Sequence, residues 1–286
     1  MTTQRTGTWL ALGAIGLWGT LAPLGVMLQH VPPFLLTGLG LIVGSLIALP
    51  LSGGKVSALR VAPRTVLLGV YGLFGFHFLL FVALRHAPPV QANLVNYLWP
   101  LGMVLMAPLF LPGLRLRGSH VVAALIGFAG AAVAILGGSG TATMSRSPSG
   151  VGWGYLAALG SALVWSSYSL MTQRVAAFPS AAIGVFGLVS GGLSLLCHAA
   201  LEPRAILSTA DWGLILLMGL GPLGAAFYLW DAALKRADAR HIGVLSFLTP
   251  LLSTLGLLAV RGEAPSAAIV LAAAMIIGAA VLGSRA

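Results

Sequence analysis

The chain has 286 residues, of which 58% are hydrophobic and 7% charged, and its mean hydropathy is +1.01. A soluble domain of this size needs far more charge to cover its surface, so the composition excludes one. The net charge of +10 is scattered singly or in twos and threes between apolar runs, with no basic face, which argues against a nucleic-acid partner.

Apolar runs of about 20 residues, the length that crosses a bilayer, recur from end to end. They are continuous rather than alternating, which points away from a β-barrel. Turn residues and charges cut the chain into ten predicted spans, at 8–28, 33–51, 64–84, 88–111, 120–138, 151–173, 179–199, 210–230, 238–260 and 264–283. The first exceeds a signal-peptide core of about 7–15 residues and reads as an uncleaved span; it carries Trp18 at depth. The third carries His77, the one histidine well inside a span, with Tyr71, Phe74 and Phe78 as aromatic surface. An ionisable residue at that depth is a functional candidate by default.

The fourth span contains "ANLVNYLWPLGMV" (92–104), in which Asn93, Asn96, Tyr97 and Pro100 fall at i, i+3, i+4 and i+7 on one helical face. A buried amide without a partner costs about 2–7 kcal/mol, so this face needs protein partners or a hydrated cavity. Between the fifth and sixth spans, "GSGTATMSRSPSG" (138–150) is rich in Ser, Thr and Gly and reads as a linker. The expected organisation is a first five-helix unit at 1–138, a linker at 139–150 and a second unit at 151–286. In the sixth span Trp165 and Tyr168 lie one turn apart, and Tyr168 shares its face with Ser161 and Thr172. The lone Cys197 in the seventh excludes an intramolecular disulfide and reads as a small packed hydrophobe. In the ninth, Ser246, Thr249, Pro250 and Ser253 repeat the spacing of the fourth span. Trp9, Trp153, Trp212 and Trp230 lie near span ends, where an interfacial belt accounts for them.

A shift of 150 residues lays "ALRHAPPVQANLVNYLWPL" (83–101) over "ALKRADARHIGVLSFLTPL" (233–251), matching Pro100 with Pro250. A shift of 147 lays "GAIGLWGT" (13–20) over "GSALVWSS" (160–167), matching Trp18 with Trp165. Five spans per unit is an odd number, so the second unit enters the membrane upside down. Inverted repeats mark secondary transporters, whose site lies near the midplane between the halves. Pro100 cannot donate to the Asn96 carbonyl nor Pro250 to that of Ser246, so both carbonyls are expected to be free acceptors lining that site.

Of the 15 Lys and Arg residues, 11 fall on one side of the predicted spans and four (Arg85, Arg146, Arg204, Arg261) on the other. That bias places both termini in the cytoplasm. All five carboxylates (Glu202, Asp211, Asp231, Asp238, Glu263) fall at or near loops. No mid-span group is therefore an evident proton or sodium carrier, His77 apart, and no cofactor or metal is expected. No Lys or Arg lies at mid-span, so the expected small-molecule cargo is neutral or zwitterionic. An intramembrane hydrolase built on Ser166 or Ser167 with His77 is the main reading of another class.

Ten spans in two inverted halves, one opened by "LWGT" and the other by "LVWSSY", resemble the drug/metabolite transporter superfamily and its EamA-type exporters. The run "VNYLWP" (95–100) is similar to that of YddG-type aromatic amino-acid exporters of bacterial inner membranes. The resemblance implies an all-α protein of ten transmembrane helices around a central cavity, exporting phenylalanine, tyrosine, tryptophan and related compounds across the inner membrane. Other amino acids, metabolites or drugs, with or without proton coupling, are the alternative cargo. The residues expected to bind substrate are Trp18, His77, Asn93, Asn96, Tyr97, Trp99, Pro100, Trp165, Tyr168, Ser246, Thr249 and Pro250. The remaining partners are the lipids of the bilayer.

Overall fold

The computed structural model describes residues 2–138 and 151–284. The expected linker at 139–150, with Arg146 in it, and Arg285 lie outside the described residues.

Among the described residues every regular element is helical. In chain order the long helices are α1 (Thr3–Met27), α2 (Pro33–Leu51), α3 (Pro63–His86), α4 (Pro89–Phe110), α5 (Gly118–Leu136), α6 (Val151–Met171), α7 (Ser180–Leu201), α8 (Thr209–Leu234), α9 (Ala239–Arg261) and α10 (Ala267–Ser284). Eight of them, all but α6 and α10, are long and apolar enough to cross a membrane. Helix α6 carries four serines, three glycines and four Trp or Tyr residues among its 21 positions, which lower its hydropathy.

The starts have local causes. Helices α2, α3 and α4 open on Pro33, Pro63 and Pro89, whose missing N–H matters least in a first turn. A capping box between Ser208 and Asp211 opens α8, and Asp238 caps α9 by accepting the Arg240 N–H. Helix α9 ends on Gly262 at φ +68°, the left-handed conformation that favours glycine.

Four interruptions fall in matching places. A π turn occupies Tyr71–Gly75 in α3 and another Gly221–Ala225 in α8, 150 residues apart. Helix α4 breaks between Asn96 and Trp99, and α9 between Leu245 and Leu248. In each break a proline follows within a few residues and cannot close the helical hydrogen bond.

Residues 2–138 and 151–284 interdigitate. Helix α5 packs on α10, α2 on α7, α3 on α6, α1 on the second part of α8, and α4 on both α6 and α9. Some of these contacts recur at the two shifts seen in the sequence. A Cβ on Gly7 would lie 2.6 Å from that of Ala237, and one on Gly154 2.6 Å from that of Ala87. Likewise Gly13 faces a Leu229 methyl at 3.2 Å and Gly160 a Leu79 methyl at 3.3 Å. Glycine lets these backbones approach closely, which is how helices associate where lipid removes the usual hydrophobic drive.

Candidate functional site

Five rings meet in the middle of the bundle. Trp18 of α1 lies 6.4 Å from Trp99 of α4, 5.8 Å from Trp165 of α6, and 5.9 and 5.1 Å from Phe227 and Trp230 of α8. Trp165 closes the cluster, 6.4 Å from Trp99, 5.7 Å from Phe227 and stacked 6.3 Å from Trp230. All five are at most 6% exposed. Most contacts are edge-on or tilted, the geometry that sets a ring's positive edge on its neighbour's negative face.

The backbone irregularities position these rings. The Trp18 indole N–H donates at 3.1 Å to the carbonyl of Pro222, inside the π turn of α8. Such turns expose backbone groups that a regular helix would use itself. Ser166 of α6 donates at 2.8 Å to the Trp99 carbonyl just past the break in α4. The Trp230 indole N–H donates at 3.1 Å to Ser169 of α6. Two donors, Trp18 of α1 and Ser166 of α6, therefore tie the cluster across the two units.

The residues expected from the sequence divide into two groups. Trp18, Trp99 and Trp165 form the cluster, with Tyr168 at its margin, 5.3 Å from Trp165. His77 is also at the margin, 6.3 Å from Phe227, its counterpart at the 150-residue shift. Its Nδ1 donates at 2.6 Å to the Leu73 carbonyl.

The polar residues Asn96 of α4 and Ser246 of α9 have hydrogen bonds of their own, between and within helices. Asn96 is buried and accepts from Ser161 of α6 at 2.7 Å, a bond between helices. Asn93 and Tyr97 on the same helix are only half-buried, whereas Pro100 is buried. Ser246 is fully buried and donates to its own helix, at 2.8 Å to the Ile242 carbonyl. A hydroxyl can satisfy itself in this way, so it does not require a cavity. The carbonyl of Ser246 is not left open, because the Thr249 N–H donates to it at 3.0 Å. Pro250 is buried beside Thr249, whose own hydroxyl is buried without a partner.

At the centre, where a hydrated opening is expected, the five rings pack on one another. Next to it, α2, α3, α7 and α8 leave only narrow gaps among residues such as Leu41, Leu73, Ile183 and Phe227, too tight for a water molecule. Spacing along a helix specifies which rings face inward but not whether they meet.

Sequence reasoning missed two members of the cluster. Trp230 is 1% exposed rather than interfacial, because α8 continues to Leu234 and leaves it a turn inside. Phe227 stands 150 residues after His77, the one signal in the sequence that could have found it. Trp9, Trp153 and Trp212 are exposed, as a belt position requires. Of the carboxylates expected at or near loops, Asp211 and Asp231 are buried in the protein, and the Glu202 side chain is fully enclosed. Glu202 accepts the N–H groups of Phe34 and Leu35 at the start of α2, and pairs with Arg85 at 3.1 Å and His198 at 3.0 Å.

The sequence matches the EamA-like transporter family twice, over residues 5–136 and 152–285. It is 41% identical over 284 residues to a protein of Ancylobacter novellus named aromatic amino acid exporter YddG, covering 98% of each chain. The protein of that name from Escherichia coli K12 is 28% identical over 284 residues, covering 92% of this chain and 91% of its own. A solved crystal structure, 42% identical, superposes with a TM-score of 0.90, covering 98% of this chain and 96% of its own. The chain therefore belongs to the EamA-like transporter family, as a multi-pass membrane transporter rather than an enzyme.

Proposed function

We propose that the protein exports aromatic and related neutral amino acids across the inner membrane by alternating access between two inverted five-helix halves. The observation that carries this reading is the central cluster: four indoles and a phenyl ring drawn from α1, α4, α6 and α8, on both sides of the expected linker. Rings that pack on one another can instead pack on an aromatic side chain, which makes the cluster both a plug and a binding surface. The aromatic amino acid exporter of A. novellus, similar over nearly the whole chain, supports the choice of cargo.

The inverted arrangement of ten spans is supported by the paired π turns, the paired helix breaks and the glycine contacts that recur at shifts of 147 and 150 residues. The distribution of Lys and Arg supports cytoplasmic termini. Trp18, Trp99, Trp165, Phe227 and Trp230 contact the substrate ring, and Tyr168 and His77 border it. Asn96 and Ser246 hold the broken helices in place rather than touching cargo. A His77 Nδ1–H held by the Leu73 carbonyl, and an Asp231 carboxylate already paired with Lys235, support uncoupled movement down a gradient.

Purified protein in liposomes tests this by counterflow of labelled phenylalanine, competed by tyrosine, tryptophan, leucine, threonine and a cationic drug. The expected order places the aromatic amino acids first, with no acceleration by an imposed pH gradient. Uptake that the gradient drives strongly overturns the uncoupled mechanism and makes His77 its carrier. Competition by the drug alone overturns the cargo.

A further inference from the structure

Asp231 follows Trp230 in α8 and is 2% exposed. Its Oδ2 accepts from Lys235 Nζ at 2.6 Å, one turn further on. Its Oδ1 is buried with no hydrogen-bond partner. Lys235 is engaged elsewhere as well. It donates to the Phe178 carbonyl at 2.8 Å, reaches Ser180 at 3.4 Å and sits 4.0 Å from the centroid of the Phe178 ring. The pair is thus neutral as a whole, while one buried carboxylate oxygen is left without a hydrogen-bond partner. A buried ion pair is favourable only when its remaining lone pairs are filled, so an empty one calls for a partner.

Packing does not explain the carboxylate. At the 150-residue shift the corresponding position is Phe81, which sets its ring edge-on to Phe34 at 5.1 Å. The second half carries a charge where the first half carries a ring. The surroundings of Asp231 are also those of the cluster. Trp230 is its chain neighbour, and Tyr168, buried against Trp165, lies within electrostatic reach.

We propose that Asp231 recognises the α-ammonium group of a zwitterionic amino acid, Oδ1 accepting its N–H while Lys235 holds Oδ2 and the substrate's ring lies against Trp165, Tyr168 and Trp230. The inference rests on the exporter reading and adds a selection rule to it. A primary ammonium is required, and an aryl carboxylic acid without one meets an uncovered carboxylate and is turned away.

The test compares phenylalanine with 3-phenylpropionate, which lacks only the amino group, as competitors of labelled phenylalanine in the same vesicles. Wild-type protein is expected to prefer phenylalanine by at least about tenfold, the worth of one hydrogen bond to a charged group. In Asp231→Asn that preference should shrink about tenfold or more. The ratio is taken within one preparation and so does not depend on how much protein is folded. If Asp231→Asn carries nothing, the same ratio is read from binding of both compounds to the monodisperse Asp231→Asn/Lys235→Gln protein in detergent, where both charges leave together. A preference that survives in either variant overturns the proposal while leaving export intact. Wild-type vesicles that take up no phenylalanine overturn the exporter reading itself.

Discussion

Gly72→Ala offers a sharp check on the packing at the margin of the cluster. A Cβ at residue 72 would lie 2.3 Å from Tyr168 Cγ, and 2.4 and 2.6 Å from its two δ carbons, so the phenol ring lies flat over the glycine. Ordinary carbon contacts begin near 3.4 Å, so ring and helix must separate by about 1 Å. Tyr168 cannot retreat freely, because it is buried and its ring sits 5.3 Å from Trp165. Overpacking of this kind costs about 1–3 kcal/mol. Gly75, in the same π turn, is the control: a Cβ there meets Val164 at 3.6 Å, an ordinary contact. Thermal unfolding in detergent should rank Gly72→Ala clearly below wild type and Gly75→Ala close to it. Adding Tyr168→Leu should recover part of the loss in the first variant, a coupling that a double-mutant cycle measures. Equal stability of the two alanine variants would refute the reasoning.

Three further outcomes follow from the hydrogen bonds. Ser161→Ala strips the buried Asn96 carbonyl oxygen of its donor and should lower stability by about 1–3 kcal/mol, whereas Ser246→Ala, losing only a bond within its own helix, should change it far less; the reverse order in thermal melting counts against the assigned roles. Glu202→Gln should destabilise more than Arg85→Ala, because the carboxylate also holds two N–H groups of α2 and His198, while the arginine is substantially exposed; melting temperatures of the two variants decide it. At Asp238 burial alone would raise the carboxyl pKa, but hydrogen bonds from the Arg240 side chain and backbone outweigh it and hold it below the ordinary value. Its stabilisation is therefore present at neutral pH and lost on acidification, so the melting difference between wild type and Asp238→Asn should narrow as pH falls below the ordinary carboxylate range, and a widening would contradict this.

The helices were legible because a bilayer demands long apolar runs, and the observed elements start and stop within a few residues of the predicted spans. The exceptions have causes in polar side chains. Helix α1 begins well before residue 8 because its polar first turn is held by protein, Gln4 accepting the Asp238 N–H at 3.1 Å. Helix α8 runs to Leu234 because Lys235 covers Asp231, so a charge no longer marks the end of the buried segment. That one misplaced boundary put Trp230 at a span end and Asp231 just beyond it.

At the site, the sequence identified the deep tryptophans, since neither a belt nor a loop accounts for indoles at that depth. It did not identify what Asn96 and Ser246 do. An amide or hydroxyl facing inward along a helix is equally consistent with a cavity, with a bond to a neighbouring helix and with a bond to its own backbone. The Ser161 hydroxyl beside Asn96 shows a bond to a neighbouring helix, and the Ile242 carbonyl beside Ser246 a bond to its own backbone, neither of which spacing reveals. The closure of the centre was likewise out of reach, because it depends on the distances between rings on four different helices.

The central claim is that cargo enters among these rings. It is tested most directly by irradiating membranes with a diazirine-bearing phenylalanine and locating the label by peptide mass spectrometry. Labelling at Trp18, Trp99, Trp165 or Trp230, removed by excess phenylalanine, is the expected result. Label confined to lipid-facing or loop residues, or left in place by excess phenylalanine, contradicts the account.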